Sequence, residues 1–154
     1  MGKDIEKKQI HTSCGAVVYR TGAEGVAVLA MHRTASDSWH LPKGTQELGE
    51  TREQTAQREI LEETGYAITL GPYLGMLESI IRRNGEIIPK KTHYFAATPT
   101  SERPEKIHDA EHDTISFVDI QTLKELLTTK RVEEYEKEYL MLETFLASGV
   151  LSEA

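Results

Sequence analysis

The chain has 154 residues, 38% hydrophobic and 28% charged, with a formal net charge of -7. This fits one globular domain with room for a real core, and the balance is not that of a disordered chain. So acidic a molecule repels duplex nucleic acid and anionic membranes, so a polyphosphate ligand would need local cations at its site. The single cysteine, Cys14, excludes an intrachain disulfide and lies in an apolar run expected to bury it. No leader pattern or long apolar span is visible, and the sequence reads as soluble and cytoplasmic.

In chain order, residues 11–20 and 25–33 are apolar strand candidates joined by the short turn Thr21-Gly22-Ala23-Glu24. Residues 39–50, punctuated by Pro42, Gly44 and Gly49, read as a loop. A helix then follows. Thr51 is its N-cap, Gln54 completes a capping box and Gly65 supplies the stop. Residues 67–81 and 86–98 are rich in Ile, Leu, Tyr and Phe and flank Asn84-Gly85, a strong hairpin signal. A loop over 99–110, a strand at 114–118 and helical segments near 119–128 and 132–147 complete the chain. In the last segment Tyr135, Tyr139, Leu142 and Leu146 form the expected core stripe. The pattern is α+β, a mixed sheet flanked by helices in one domain, 1–154, with the helix at about 132–147 packed on it.

The chemistry concentrates in Gly44 to Tyr66. At about 100° per residue, Glu59, Glu62 and Glu63 share one helix face. Like charges at this spacing destabilise a helix by about 0.2–0.5 kcal/mol per pair, and no Lys or Arg follows four residues later to relieve them. Arg58, four before Glu62, offers partial relief. Glu-rich faces are often merely solvated. A divalent cation is the alternative that explains a bare cluster, and magnesium, a hard ion that takes carboxylates and keeps waters for a phosphate, is the natural guest.

The flanking residues decide between these readings. Gly44, Glu50, Arg58, Glu59, Ile60, Glu62, Glu63 and Gly65 match the Nudix box G-x5-E-x7-R-E-U-x-E-E-x-G-U, where U is bulky and apolar, and Tyr66 fills the final place with an aromatic. The chain therefore resembles the Nudix hydrolases over most of its length, which implies an α/β/α sandwich and a Mg2+-dependent hydrolase, with Mn2+ a possible substitute, that cleaves a diphosphate linkage. The resemblance implies that Glu59, Glu62 and Glu63 hold the metal together with the Gly44 carbonyl, and that Arg58 orients a glutamate. Glu50 is expected to brace the loop and helix.

Three further segments resemble the diadenosine tetraphosphate hydrolase branch, with diphosphoinositol polyphosphate phosphohydrolases close behind: Trp39-His40-Leu41-Pro42-Lys43-Gly44, Pro89-Lys90-Lys91-Thr92-His93-Tyr94-Phe95, and Glu111-His112 ahead of a strand that ends in Phe117. They imply phosphate contact by Lys43 and by Lys90 or Lys91, and base stacking by Tyr94. They also make Glu111 a downstream carboxylate acting as ligand or base, and His112 a site residue. Trp39 is expected to be structural. The leading substrate is an asymmetric dinucleoside polyphosphate such as diadenosine tetraphosphate. The alternatives are a diphosphoinositol polyphosphate, for which Arg82 and Arg83 supply charge, or a (deoxy)nucleoside triphosphate. Phe117 stands in place of the commoner Trp, and Ile81-Arg82-Arg83-Asn84 lacks the Tyr of some dinucleoside polyphosphate hydrolases. A non-catalytic binding module is the rival of another class, but its mark would be loss of the Arg-Glu and Glu-Glu elements. The expected partner is a small phosphorylated molecule, with no nucleic acid or membrane, and the protein is a monomer or homodimer.

Overall fold

The computed structural model describes residues 10–105, 113–129 and 137–153. A first hairpin joins β1 (His11–Gly22) to β2 (Gly25–Arg33). Gly22 pairs with Gly25, so the turn is two residues, Ala23-Glu24, tighter than the four-residue turn expected. Gly25, at φ +114, takes a conformation closed to most side chains, which lets both strands run further.

The segment read as a loop contains two three-residue strands, β3 (Ser38–His40) on β2 and β4 (Lys43–Thr45) on β1. Strands so short carry no periodicity to detect, since what defines them is backbone pairing with a distant partner. Helix α1 (Arg52–Thr64) has the predicted ends. Thr51 and Gln54 form the reciprocal capping box, and Gly65, at φ +81, donates its N–H to Leu61 O.

β5 (Ile68–Arg83) and β6 (Glu86–Pro99) are the long hairpin. Asn84 and Gly85 at its tip both have positive φ, 51° and 79°, as a two-residue primed turn requires. β7 (Asp113–Asp119) pairs with β2, and it is followed by α2 (Ile120–Thr129), α3 (Tyr139–Ala147) and a 3-10 turn at Val150–Glu153.

The main strand order is β3-β2-β1-β6-β5. β1 and β6 are parallel and every other pairing is antiparallel, so the sheet is mixed. Side chains alternate between two buried faces. Val17, Val28, Ala30, Tyr94 and Ala96 pack with Leu123, Met141, Leu142 and Phe145 from α2 and α3, while Cys14, Ala16, Val18, Leu29, Phe95 and Ala97 pack with Ala56 and Ile60 of α1. Helices therefore cover both faces, the expected α/β/α sandwich. The unusual Tyr66 and Phe117 meet edge to face at 5.4 Å, and the Arg20 guanidinium lies 3.9 Å from the Phe117 ring centre. Both rings join the core on the α1 side of the sheet.

The inner stripe of α3 is Met141, Leu142 and Phe145, whereas Leu146 is exposed and Tyr135 lies outside the described residues. The buried face is thus rotated by about one position, roughly 100°, from the predicted stripe. That rotation places Glu138 on the inner face.

Candidate metal and phosphate site

Arg58 ties the Nudix-box segment together. Its Nε and Nη2 donate to the two oxygens of Glu50 at 2.6 and 3.0 Å, and Nη2 also donates to Thr45 O at 3.0 Å. Nη1 donates to Glu59 at 3.0 Å and to Glu62 at 3.2 Å. Glu50 also accepts from Glu47 N and the Thr55 hydroxyl. The Arg58 fork and the Glu47 N–H hold the Glu50 carboxyl down at about 2, and the same pairing with Glu50 raises Arg58 further above its ordinary value. A planar fork can serve this many acceptors where a lysine ammonium cannot. Glu50 thus braces loop and helix through four donors.

Glu59 lies against Gly44 of β4. A side chain at Gly44 would overlap the Glu59 carboxyl carbon and Oε1, so glycine is what lets this carboxylate reach the β4 backbone. Glu63, one turn on, accepts from Lys43 N at 3.1 Å, with Arg33 at 3.9 Å. Burial raises both carboxyls above the usual range. Arg58 pulls Glu59 back and the Lys43 N–H pulls Glu63 back, while neighbouring glutamates push each upward. Ionised together, Glu59 and Glu63 repel each other inside a partly desolvated site. The available donors are carboxylate oxygens and a backbone carbonyl, the hard set magnesium takes. By donor chemistry and excess negative charge the residues fit a divalent cation. As placed, no three His, Cys, Asp or Glu side chains converge on one point among the described residues. Glu62 turns to Arg58, and Glu63 to the β4 backbone.

Beside Glu63 opens a hollow of about 360 Å³, lined among others by Arg33, Lys43, Lys90, Ser38, Ser79 and Glu138. It gathers three cations next to the acidic cluster, a local reversal of the molecule's negative field. A larger hollow of about 1210 Å³ lies between the hairpin tip and loop Gln46–Glu50 and is lined in part by Glu50, whereas Glu59, Glu62 and Glu63 line neither hollow.

Lys43 and Lys90 meet at the smaller hollow, and Lys91 does not line it. Adjacent residues of a strand face opposite sides, and Lys91 pairs with Glu78 and lies close enough to His93 to depress its pKa, behind burial as the larger cause. Tyr94 is fully buried in the core of the α2/α3 face, so the base-stacking role expected of it is corrected to a packing role. Trp39 packs at the edge of the same core, with its ring 5.0 Å from that of His32. Glu111 and His112 lie outside the described residues.

Two residues were not anticipated: Arg33, which lines the smaller hollow and lies 3.9 Å from Glu63, and Glu138. Glu138 is only 5% exposed; it accepts from Leu41 N at 2.6 Å and from His40 Nδ1 at 3.0 Å, and its Oε1 is 3.6 Å from Lys43 Nζ. Burial alone raises a carboxyl, but here Lys43 and His40 outweigh it, with help from the Leu41 N–H, and the group is lowered. The signal that finds it is its place three, four and seven residues before Met141, Leu142 and Phe145: an acid on an apolar stripe.

The chain matches the NUDIX domain over residues 9–140. It belongs to the NUDIX family. This NUDIX chain is 37% identical over 111 residues to an 8-oxo-(d)GTP phosphatase of Mycolicibacterium smegmatis, an alignment covering 65% of this chain and 33% of that protein. It is 44% identical over 57 residues to a putative mutator protein, MutT4, of Mycobacterium tuberculosis, covering 37% of this chain and 23% of the other. The chain thus spans a third or less of the length of these relatives. In fold, the NUDIX chain is similar to a NUDIX hydrolase from Nitrosomonas europaea, with TM-score 0.70 and 17% identity over 91% of this chain and 90% of that one. It is similar also to a C. elegans Ap4A hydrolase in a binary complex, with TM-score 0.68 and 20% identity over 94% and 99% of the two chains. Among the described residues no helix is long and apolar enough to cross a membrane.

Proposed function

We propose that this NUDIX chain is a divalent-metal-dependent pyrophosphohydrolase acting on a nucleoside triphosphate, with 8-oxo-dGTP the first substrate to try. The observation that carries the reading is that Glu63 of α1 meets Arg33 and the Lys43 backbone, two residues that line a hollow together with Lys90. The substrate class follows the relatives, whose names concern oxidised guanine nucleotides or mutator activity. A dinucleoside polyphosphate is the weaker choice, because similarity to the Ap4A hydrolase at 20% identity speaks to fold alone. Tyr94, the aromatic expected to stack on a base, is also fully buried in the core.

In this reading Glu59, Glu62 and Glu63 hold the cation with the Gly44 carbonyl. A cation held there would supply charge to neutralise phosphate oxygens and to support an attacking water and the leaving group. Arg58 keeps Glu59 and Glu62 in place, and Lys43 and Lys90 bind the phosphate chain by charge-assisted hydrogen bonds. A carboxylate among Glu62, Glu63 and Glu111 takes the proton of the attacking water, and His112 contacts substrate. Water oxygen joins one phosphorus, one P–O–P link breaks, and a nucleoside monophosphate and pyrophosphate leave.

The test is a panel of 8-oxo-dGTP, dGTP, diadenosine tetraphosphate, ADP-ribose and a diphosphoinositol phosphate with magnesium, with products identified. We expect 8-oxo-dGTP to yield the monophosphate and pyrophosphate at the highest kcat/KM. Turnover confined to the dinucleoside or inositol compound would overturn the substrate class. No turnover of any compound would overturn the enzymatic reading.

A further inference from the structure

We infer that Glu138 is a positioning residue for Lys43, reaching from the last helix to fix the cation that meets the phosphate chain. The inference rests on the reading of Lys43 as a phosphate contact.

Glu138 stands at the start of α3 on the stripe that continues through Met141, Leu142 and Phe145, where an apolar residue would pack at no electrostatic cost. A carboxylate here needs strong partners, and among the described residues they come from one short segment. Leu41 N and Lys43 Nζ share Oε1, and His40 Nδ1 donates to Oε2, which leaves His40 Nε2 facing the Ser38 hydroxyl at 2.7 Å. Pro42, between these partners, has no N–H to offer. The next N–H, that of Lys43, goes to Glu63. Two carboxylates, one from each helical layer, therefore grip residues 40–43 from opposite sides. The Lys43 side chain is only 17% exposed, and holding it beside Glu138 removes rotamer freedom before a ligand arrives. Lys90, Arg33 and Ser79 line the same hollow, so the restrained ammonium stays among the groups that would receive the phosphates.

A plain field argument predicts the opposite. A buried negative charge beside an anion site weakens anion binding, so neutralising Glu138 would tighten it. The sign of the effect therefore separates positioning from mere proximity.

The experiment is calorimetric titration of the full chain with inorganic tripolyphosphate in magnesium buffer, on wild type, Lys43→Met, Glu138→Gln and the double variant, with Tm measured for each. We expect Lys43→Met to weaken binding roughly tenfold and Glu138→Gln roughly five- to tenfold, with the double variant within about twofold of Lys43→Met. With 8-oxo-dGTP as substrate the same variants should raise KM and leave kcat within about twofold of wild type. Unchanged or tighter binding in Glu138→Gln, or losses that multiply in the double variant, would overturn the inference and leave the phosphate reading intact. Unchanged binding in Lys43→Met would overturn the phosphate reading itself, and the inference with it. If Glu138→Gln does not fold, Glu138→Asp decides, since it keeps the charge but withdraws it from Lys43. Weakened binding supports positioning, whereas wild-type affinity, or failure of both variants to fold, overturns it.

Discussion

Gly44→Ala is the most direct probe of how the acidic face is assembled. The added Cβ would stand 2.0 Å from the Glu59 carboxyl carbon and 2.5 Å from its Cγ, so the carboxyl must retreat by about 1.5 Å to reach ordinary carbon–carbon separation. Gly44 has no positive φ, so alanine brings no backbone strain there. The obstacle is the end of a side chain and not backbone, which places the cost near the low end of overpacking, about 1 kcal/mol, or a Tm decrease of about 2–4 °C. Function should suffer far more, because a displacement of about 1 Å in a reacting group costs about 10²-fold in rate. Gly49→Ala is the control. Gly49 has φ +87 and open space around its missing Cβ, so this variant pays a similar stability cost without touching Glu59. Magnesium titrations of turnover and of Tm on both variants check the reasoning. A Gly44→Ala protein with wild-type kcat and magnesium dependence would refute it, as would an equal loss of activity in Gly49→Ala.

Arg58→Lys should lower stability, seen as a reduced urea midpoint at unchanged m, because one ammonium cannot replace the fork to Glu50 and the bond to Thr45 O. Glu63→Gln should abolish magnesium-dependent turnover while keeping or raising Tm in chelator at neutral pH. The Glu63 carboxyl is raised by burial, so its contribution to stability is present below the ordinary carboxylate range and is lost as pH rises through the raised value. The Tm gap between variant and wild type should therefore close on acidification, and a gap that widens would contradict the assignment. Glu50 has the opposite sign: lowered to about 2, it contributes above the ordinary range, and that contribution disappears as pH falls toward 2, which acid denaturation of Glu50→Gln against wild type will show. Lys90→Met should raise KM about tenfold and Lys91→Met less than twofold, as steady-state kinetics on 8-oxo-dGTP will report.

Signals that are local in the chain were legible before any coordinates. The capping box of Thr51 and Gln54, the Gly65 stop and the Asn84-Gly85 turn each act within a few residues, and all three formed as read. The acidic face of α1 followed from helical spacing alone. What depends on distant partners was hidden. β4 exists because Ser13, Cys14 and Gly15 lie opposite it. Tyr94 and Phe95 alternate as expected, but both faces of the sheet are covered, so neither ring is left for a ligand. Which of Lys90 and Lys91 joins Lys43 depended on the parity of β6, set by its parallel pairing with β1. Glu138 was missed because the α3 stripe was drawn one position off, which put an acid on the wrong side of the helix.

The lone thiol has a use that its chemistry alone does not advertise. Cys14 is fully enclosed, burial pushes its pKa up to about 11, and it sits in register with Gly44, beneath the short ladder that carries the Lys43 segment. Its side chain packs in the core with Ala56 and Ile60 of α1, so an alkylating reagent reaches it only when that core opens. Its labelling rate thus clocks the opening of the core from inside the native protein, with no engineered probe, and any ligand that binds the folded form alone slows the clock.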